Sequence, residues 1–197
     1  MGVKTVRMDI PFEAQLKPVK KAEPPIGIVT GEGNTFILDH SVLDSFRAIN
    51  RLLAGGYHVS WATKSFSAGG KNYPAGSMMV SGPGIAEKLR SLATEFSLQV
   101  RAGIPLQDSM KLKPLKLGLY PPWTADIDEG QTRWIFDTWE FPYTTIHNQD
   151  IRNGHLKEKH DVIILTSLTL QRIMDGQEEG TVPSPYAVGI GKEGLAA

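Results

Sequence analysis

LKLGLYPPWTADIDEGQTRWIFDTWEFPYTTIHNQDIRNGHLKEKHDVIILT, residues 115–166, carries the reading of the fold. Leu115–Tyr120 is predicted as a strand that ends in the Pro121-Pro122 turn. Asp128 and Glu129 then stand before a helix predicted over Gln131–Trp139, with Trp134, Ile135 and Thr138 on one face. Tyr143–His147 is a second strand, and Asn148 caps a short helical turn through Asn153. Asp161–Thr166 (DVIILT) is a nearly unbroken apolar run, the pattern of a strand covered on both faces. Strand, helix, strand, helix, strand at this spacing predicts βαβ units with right-handed crossovers. The fold class is therefore α/β: an open, mostly parallel sheet with helices on both faces.

Upstream the alternation continues less regularly. Strands are predicted at Ile26–Thr30, Thr35–Leu38 and Tyr57–Ala62, and a hairpin arm over Lys71–Val80 turning at Pro74-Ala75-Gly76. From Val42 to Ala54 apolar residues recur at helical spacing until Gly55-Gly56, and Ile85–Phe96 repeats the pattern. Thr5–Phe12 alternates as a strand would, and the Lys- and Pro-rich Glu13–Pro25 reads as a linker. Residues 1–25 thus form an N-terminal strand and arm, 26–110 a first α/β lobe, and 111–197 a second βαβ lobe. Downstream, Leu168–Met174 supplies one short helix, and Gly191–Ala197 resembles the first turn of another. A helix starting where the sequence stops suggests a truncated, incomplete second lobe, which would expose apolar surface and self-associate.

Composition narrows the function classes. The 197 residues contain no cysteine, which removes thiolate metal sites, disulfides and a Cys nucleophile. Lys+Arg and Asp+Glu both number 21, so no basic excess exists to neutralise nucleic-acid phosphates. No apolar run approaches membrane-helix length, and Met1–Phe12 lacks the apolar block of a signal peptide.

The candidate site residues cluster after the Leu115–Tyr120 strand. Asp126, Asp128 and Glu129 gather three carboxylates where ligands bind in open α/β sheets. They could coordinate a hard cation, or pair with Arg133 four residues beyond Glu129. Acidic residues also favour a helix N-terminus on electrostatic grounds alone. Trp134 belongs to an aromatic group with Trp123, Trp139, Phe141 and Tyr143, suited to sugar or peptide stacking if exposed and to a core if buried. His155 and Glu158 are spaced to share a zinc ion, with His160 two residues on. No remote third histidine follows, and charged residues before a strand ordinarily mark a solvated turn. Gly31-Glu32-Gly33 and Gly82-Pro83-Gly84 match no phosphate-binding loop, and Ser167 lacks a nucleophile elbow.

Two stretches taken together resemble a known group. Phe46-Arg47-Ala48-Ile49-Asn50-Arg51-Leu52-Leu53 with Gly70-Lys71-Asn72-Tyr73-Pro74-Ala75-Gly76 is the first. The second joins Gly118-Leu119-Tyr120, Asp128-Glu129-Gly130-Gln131-Thr132-Arg133-Trp134 and Glu140-Phe141-Pro142-Tyr143. Over about Ile26 to Gly194 they resemble the C-terminal region of large bacterial zinc carboxypeptidase-like proteins, where a peptidase domain precedes a class I glutamine amidotransferase-like domain. The resemblance implies a flavodoxin-like fold, zinc in the parent protein's peptidase domain rather than in this chain, and an upstream metallopeptidase domain as partner. It also implies a secreted or periplasmic setting, a compartment that the residues themselves leave open. The family's zinc ligands lie upstream of the matching region, and its amidotransferase cysteine has no counterpart here. The expectation is a non-catalytic accessory domain for interaction or substrate positioning. The alternatives are a hydrolase, or a small-molecule or glycan-binding module, using the Asp126–Arg133 crevice.

Overall fold

Short alternating strands and two amphipathic helices build the first half of the chain in the computed structural model, which describes residues 6–123 and 126–197. The strands are β1 (Ile28–Thr30), β2 (Thr35–Leu38), β3 (His58–Ala62), β4 (Phe66–Ala68), β5 (Lys71–Tyr73), β6 (Met78–Ser81), β7 (Gln99–Gly103) and β8 (Ser109–Lys111). Between them run helices α1 (Asp44–Ala54) and α2 (Ile85–Phe96). Six strands form one sheet in the order β1-β7-β2-β6-β3-β8. Only β1 and β7 pair in parallel; the other neighbours are antiparallel. The mostly parallel sheet expected of the whole chain is therefore not the arrangement here. The Gly55-Gly56 turn completes a helical crossover between β2 and β3, which run the same way, and the later strand β6 inserts antiparallel between them.

One face of this sheet is a dense core. Phe36, Leu38, Val59, Met78, Val80 and Val100 pack beneath Ile49 and Leu52 of α1 and Leu89 and Leu92 of α2. The other face buries Ile37, Ala62 and Met79 against Tyr73 and Phe66 of the β4–β5 pair. Both helices thus lie on one face, and a two-stranded ribbon partly covers the other. The segment Lys71–Val80 is not a hairpin arm, because β5 pairs with β4 while β6 joins the large sheet. Residues 6–12 form no strand and stand exposed, so the strand expected over Thr5–Phe12 is absent where described; Thr5 lies outside the described residues.

The second sheet holds β9 (Leu117–Tyr120), β10 (Tyr143–Thr145) and β11 (Val162–Leu165), ordered β10-β9-β11 and parallel throughout. Its helices are α3 (Ile127–Thr138), α4 (Asn148–Arg152), α5 (Leu156–Lys159), α6 (Leu170–Asp175) and α7 (Gly191–Ala196). Tyr120, Ile146, Ile151, Ile173 and Ile190 form its core. The terminal helix α7 is a packed element: Gly194 is buried, and a Cβ there would meet Ile190 and Ile151.

One expectation fails in this lobe, and the open reading of the aromatic helix is decided. β11 is not covered on both faces; Val162 is 43% and Leu165 51% exposed. It is an edge strand with β9 as its one partner. Helix α3 buries none of its residues, so Trp134 and Ile135 face outward rather than into a core. With three strands, β10 and β11 are both edges of the sheet, and among the described residues neither has a second strand partner.

Candidate functional site

The C-terminal ends of β9 and β11 meet the start of α3 where the acidic cluster was expected. Asp126 is extended and caps the helix: its Oδ1 accepts the N–H of Asp128 at 3.1 Å. Its other oxygen accepts the hydroxyl of Thr166 just beyond β11. Asp126 therefore ties the helix start to the neighbouring strand end. Asp128 acts through its main chain, its carbonyl accepting the Thr132 hydroxyl at 2.7 Å, while its side chain faces solvent.

Glu129 and Arg133 form an ion pair one helical turn apart, with Arg133 Nε donating to Glu129 Oε1 at 3.0 Å. The same guanidinium donates to Tyr143 Oη at 3.2 Å and Thr145 Oγ1 at 3.1 Å, both on β10. Tyr143 in turn donates to Asp137 at 2.9 Å. The hydrogen bond it donates to Glu129 raises the Arg133 pKa, and burial raises that of Tyr143. Arg133 thus anchors α3 to the sheet. Trp134 lies on the outer flank at 61% exposure, with Trp139 edge-on at 5.6 Å.

The aromatic group divides in three, the Trp134–Trp139 pair being one part. Phe136 packs against Phe141 and Tyr143 near the end of α3. Trp123, at the far end of β9, stacks on His147 at 4.5 Å and meets Tyr186 edge-on. The space beside Trp123, between Tyr120 and Asn148, is only about 10 Å³, room for no more than a water. His155 and Glu158 approach to 3.2 Å, and both are exposed. Among the described residues no group of three His, Cys, Asp or Glu side chains is placed to hold a metal ion.

A different constellation joins the two lobes. Glu140 adopts a left-handed backbone conformation (φ 57°) directly after α3 and Trp139, which directs its carboxylate at α1. Arg47 Nε and Arg51 Nε each donate to it at 2.7 Å, and Arg51 also grips Glu95 of α2 at 2.8 Å. Asn50 adds a bond to the Trp139 carbonyl at 2.8 Å. Both guanidiniums lie over the Phe96 ring, about 5 Å from its centre. The hydrogen bond from Arg51 holds the Glu140 carboxyl at about 2, well below its ordinary 4.5. Sequence reasoning quoted Phe46–Leu53 and Glu140–Tyr143 for resemblance and missed that they meet. Two arginines one turn apart on α1 were the available signal, but the partner lies some ninety residues away.

No protein-family model matches the chain, and no curated protein or solved structure matches it.

Proposed function

We propose that the chain is a non-catalytic, amidotransferase-like accessory module that holds a polypeptide partner beside a zinc carboxypeptidase-like domain. One observation carries this reading: the second lobe leaves an apolar strand edge and helix flank exposed together. Val162 and Leu165 line the free edge of β11, and Ile127, Trp134 and Ile135 lie outward on α3. By contrast, Asp126, Glu129 and Arg133 in the adjoining crevice are engaged in bonds that hold the lobe together.

The order β10-β9-β11 corresponds to the first three positions of the flavodoxin-like order 2-1-3-4-5, which supports the finer fold assignment. In that order the next strand pairs with the free edge of β11. An extended segment of the peptidase partner takes this position by strand addition, its apolar side chains meeting Val162 on one face of the sheet and Leu165 on the other. Sedimentation velocity tests the idea with the chain alone, the chain mixed with a recombinant zinc carboxypeptidase-like domain, and a Leu165→Lys variant. The expected result is a one-to-one complex that the charged edge abolishes. A chain that binds only itself, or whose complex survives Leu165→Lys, removes the proposal.

A further inference from the structure

The two faces of the first sheet are chemically unlike. Beneath α1 and α2 the side chains are apolar throughout. On the reverse, strand register sets Thr35, Ser81 and His58 in one cross-strand row, and Ile37, Met79, Ser60 and Lys111 in the next. The β4–β5 ribbon covers this reverse where it is apolar, over Ile37, Met79 and Ala62. The polar end is left open as a cavity of about 240 Å³, walled by Pro105 and Leu106.

Solvated sheet faces also carry serine and threonine, but they are convex or flat. Here Thr35 is only 7% exposed and still lines the cavity. Among the described residues, no hydrogen bond or ion pair engages the side chains of Thr35, His58, Ser60, Ser81 or Lys111. The hydroxyls of Thr35, Ser60 and Ser81 reach the solvent of the cavity rather than being sealed off, so they are available to a ligand that displaces that water. No carboxylate lines the cavity, and the adjacent Asp108 is taken by Lys64 at 3.2 Å. Its basic groups are Lys111 and His58. Gly103, paired with Thr35, adds no side chain, and the Ile37 side chain fills its place at that end of the row.

We infer that this cavity binds a small hydroxylated anion of the sugar-acid or sugar-phosphate class. Lys111 meets the charged group as a point-charge donor. The hydroxyls of Thr35, Ser60 and Ser81 both donate and accept, which suits a polyol body. Met79, Leu106 and Pro105 supply an apolar wall for its carbon skeleton. The volume falls below that of sites for drug-sized ligands and suits a single hexose unit.

Amide chemical shifts of the full chain, titrated with gluconate, glucose 6-phosphate, glucose and inorganic phosphate, test this. At least one of the two hydroxylated anions is expected to saturate with a Kd of about 1 mM or tighter, shifting the amides of Ser60, Ser81 and Lys111. Glucose and inorganic phosphate should each bind about tenfold more weakly, since each lacks half of the recognised chemistry. The tighter of the two anions identifies the charged group as carboxylate or phosphate. Lys111→Gln, at an exposed position, should weaken the anion about tenfold, and Ser81→Ala about threefold. Three results overturn the inference: no saturation by either anion, equal affinity for glucose, or an affinity unchanged in Lys111→Gln.

Discussion

Met78–Ser81 (MMVS) and Val162–Leu165 (VIIL) are strands of equal length, and the second is the more apolar. Yet β6 buries Met78, Met79 and Val80 almost completely, while β11 leaves Val162 and Leu165 about half exposed. The cause is position. β6 is hydrogen-bonded on both sides, by β2 and β3, beneath two helices and above a ribbon. β11 is bonded on one side only and has no helix over its outer flank. An apolar run reports how much burial would stabilise a strand, and its rank in the sheet decides how much it receives.

That contrast between a filled lobe and an open one has measurable consequences. The largest is in the core beneath α1. Leu52 is fully buried there, and Leu52→Ala should cost about 3 kcal/mol in urea unfolding. Equal losses from Leu52→Ala and Leu165→Ala would erase the distinction between the lobes.

The joint between them comes next. Glu140→Gln removes the charge that Arg47 and Arg51 share, at a cost of about 1.5 kcal/mol, between the values for exposed and buried pairs. The pH dependence follows from the same contact. The Glu140 pKa is about 2 in the fold against 4.5 unperturbed, so its stabilisation is complete above about 4.5 and is lost as the pH falls through about 2. The wild-type chain should therefore lose stability more steeply than Glu140→Gln between those limits, with the lobes separating first. Unfolding followed by Trp fluorescence across that range compares the two slopes. Identical slopes would mean that Glu140 is not the acid-sensitive contact.

A smaller effect is expected at the foot of α3. Arg133→Ala removes bonds to Glu129, Tyr143 and Thr145 from a partly exposed position, a loss of about 1 kcal/mol with α3 loosened from β10. Hydrogen exchange of the α3 amides should rise while α1 and α2 keep their protection; uniform loss would mean that the lobes unfold as one unit. The smallest change belongs to the open edge. Leu165→Ala should move stability by less than about 0.5 kcal/mol, because its side chain already meets solvent in the fold.

Legibility in the sequence tracked the range of the interaction involved. Helix α2 spans Ile85–Phe96 as its apolar spacing predicts, and Asp44–Ala54 falls inside the expected helix. Both are set by contacts within a few residues. The acidic cluster was recognised at the right place, and Asp126 does cap α3, but its bond to Thr166 spans forty residues and has no local signature. The Arg47–Glu140–Arg51 clamp was invisible for the same reason. The anion cavity was half legible: the alternation in Tyr57–Ala62 predicts which residues share a face with His58 and Ser60. That Thr35 and Ser81 stand beside them depends on sheet order.

The sequence by itself determined the mixture of strands and helices, the absence of cysteine chemistry, and most element positions, because periodicity and turn residues act over one or two turns of chain. Tertiary structure alone decided that the first sheet is largely antiparallel, that β11 ends its sheet, and that the lobes lock through Glu140. It also decided that five hydroxyl and basic side chains converge on one cavity. Each of these depends on which distant strand supplies a neighbour. Backbone hydrogen bonding is the same for any partner, so the choice among partners is made only when all faces pack at once.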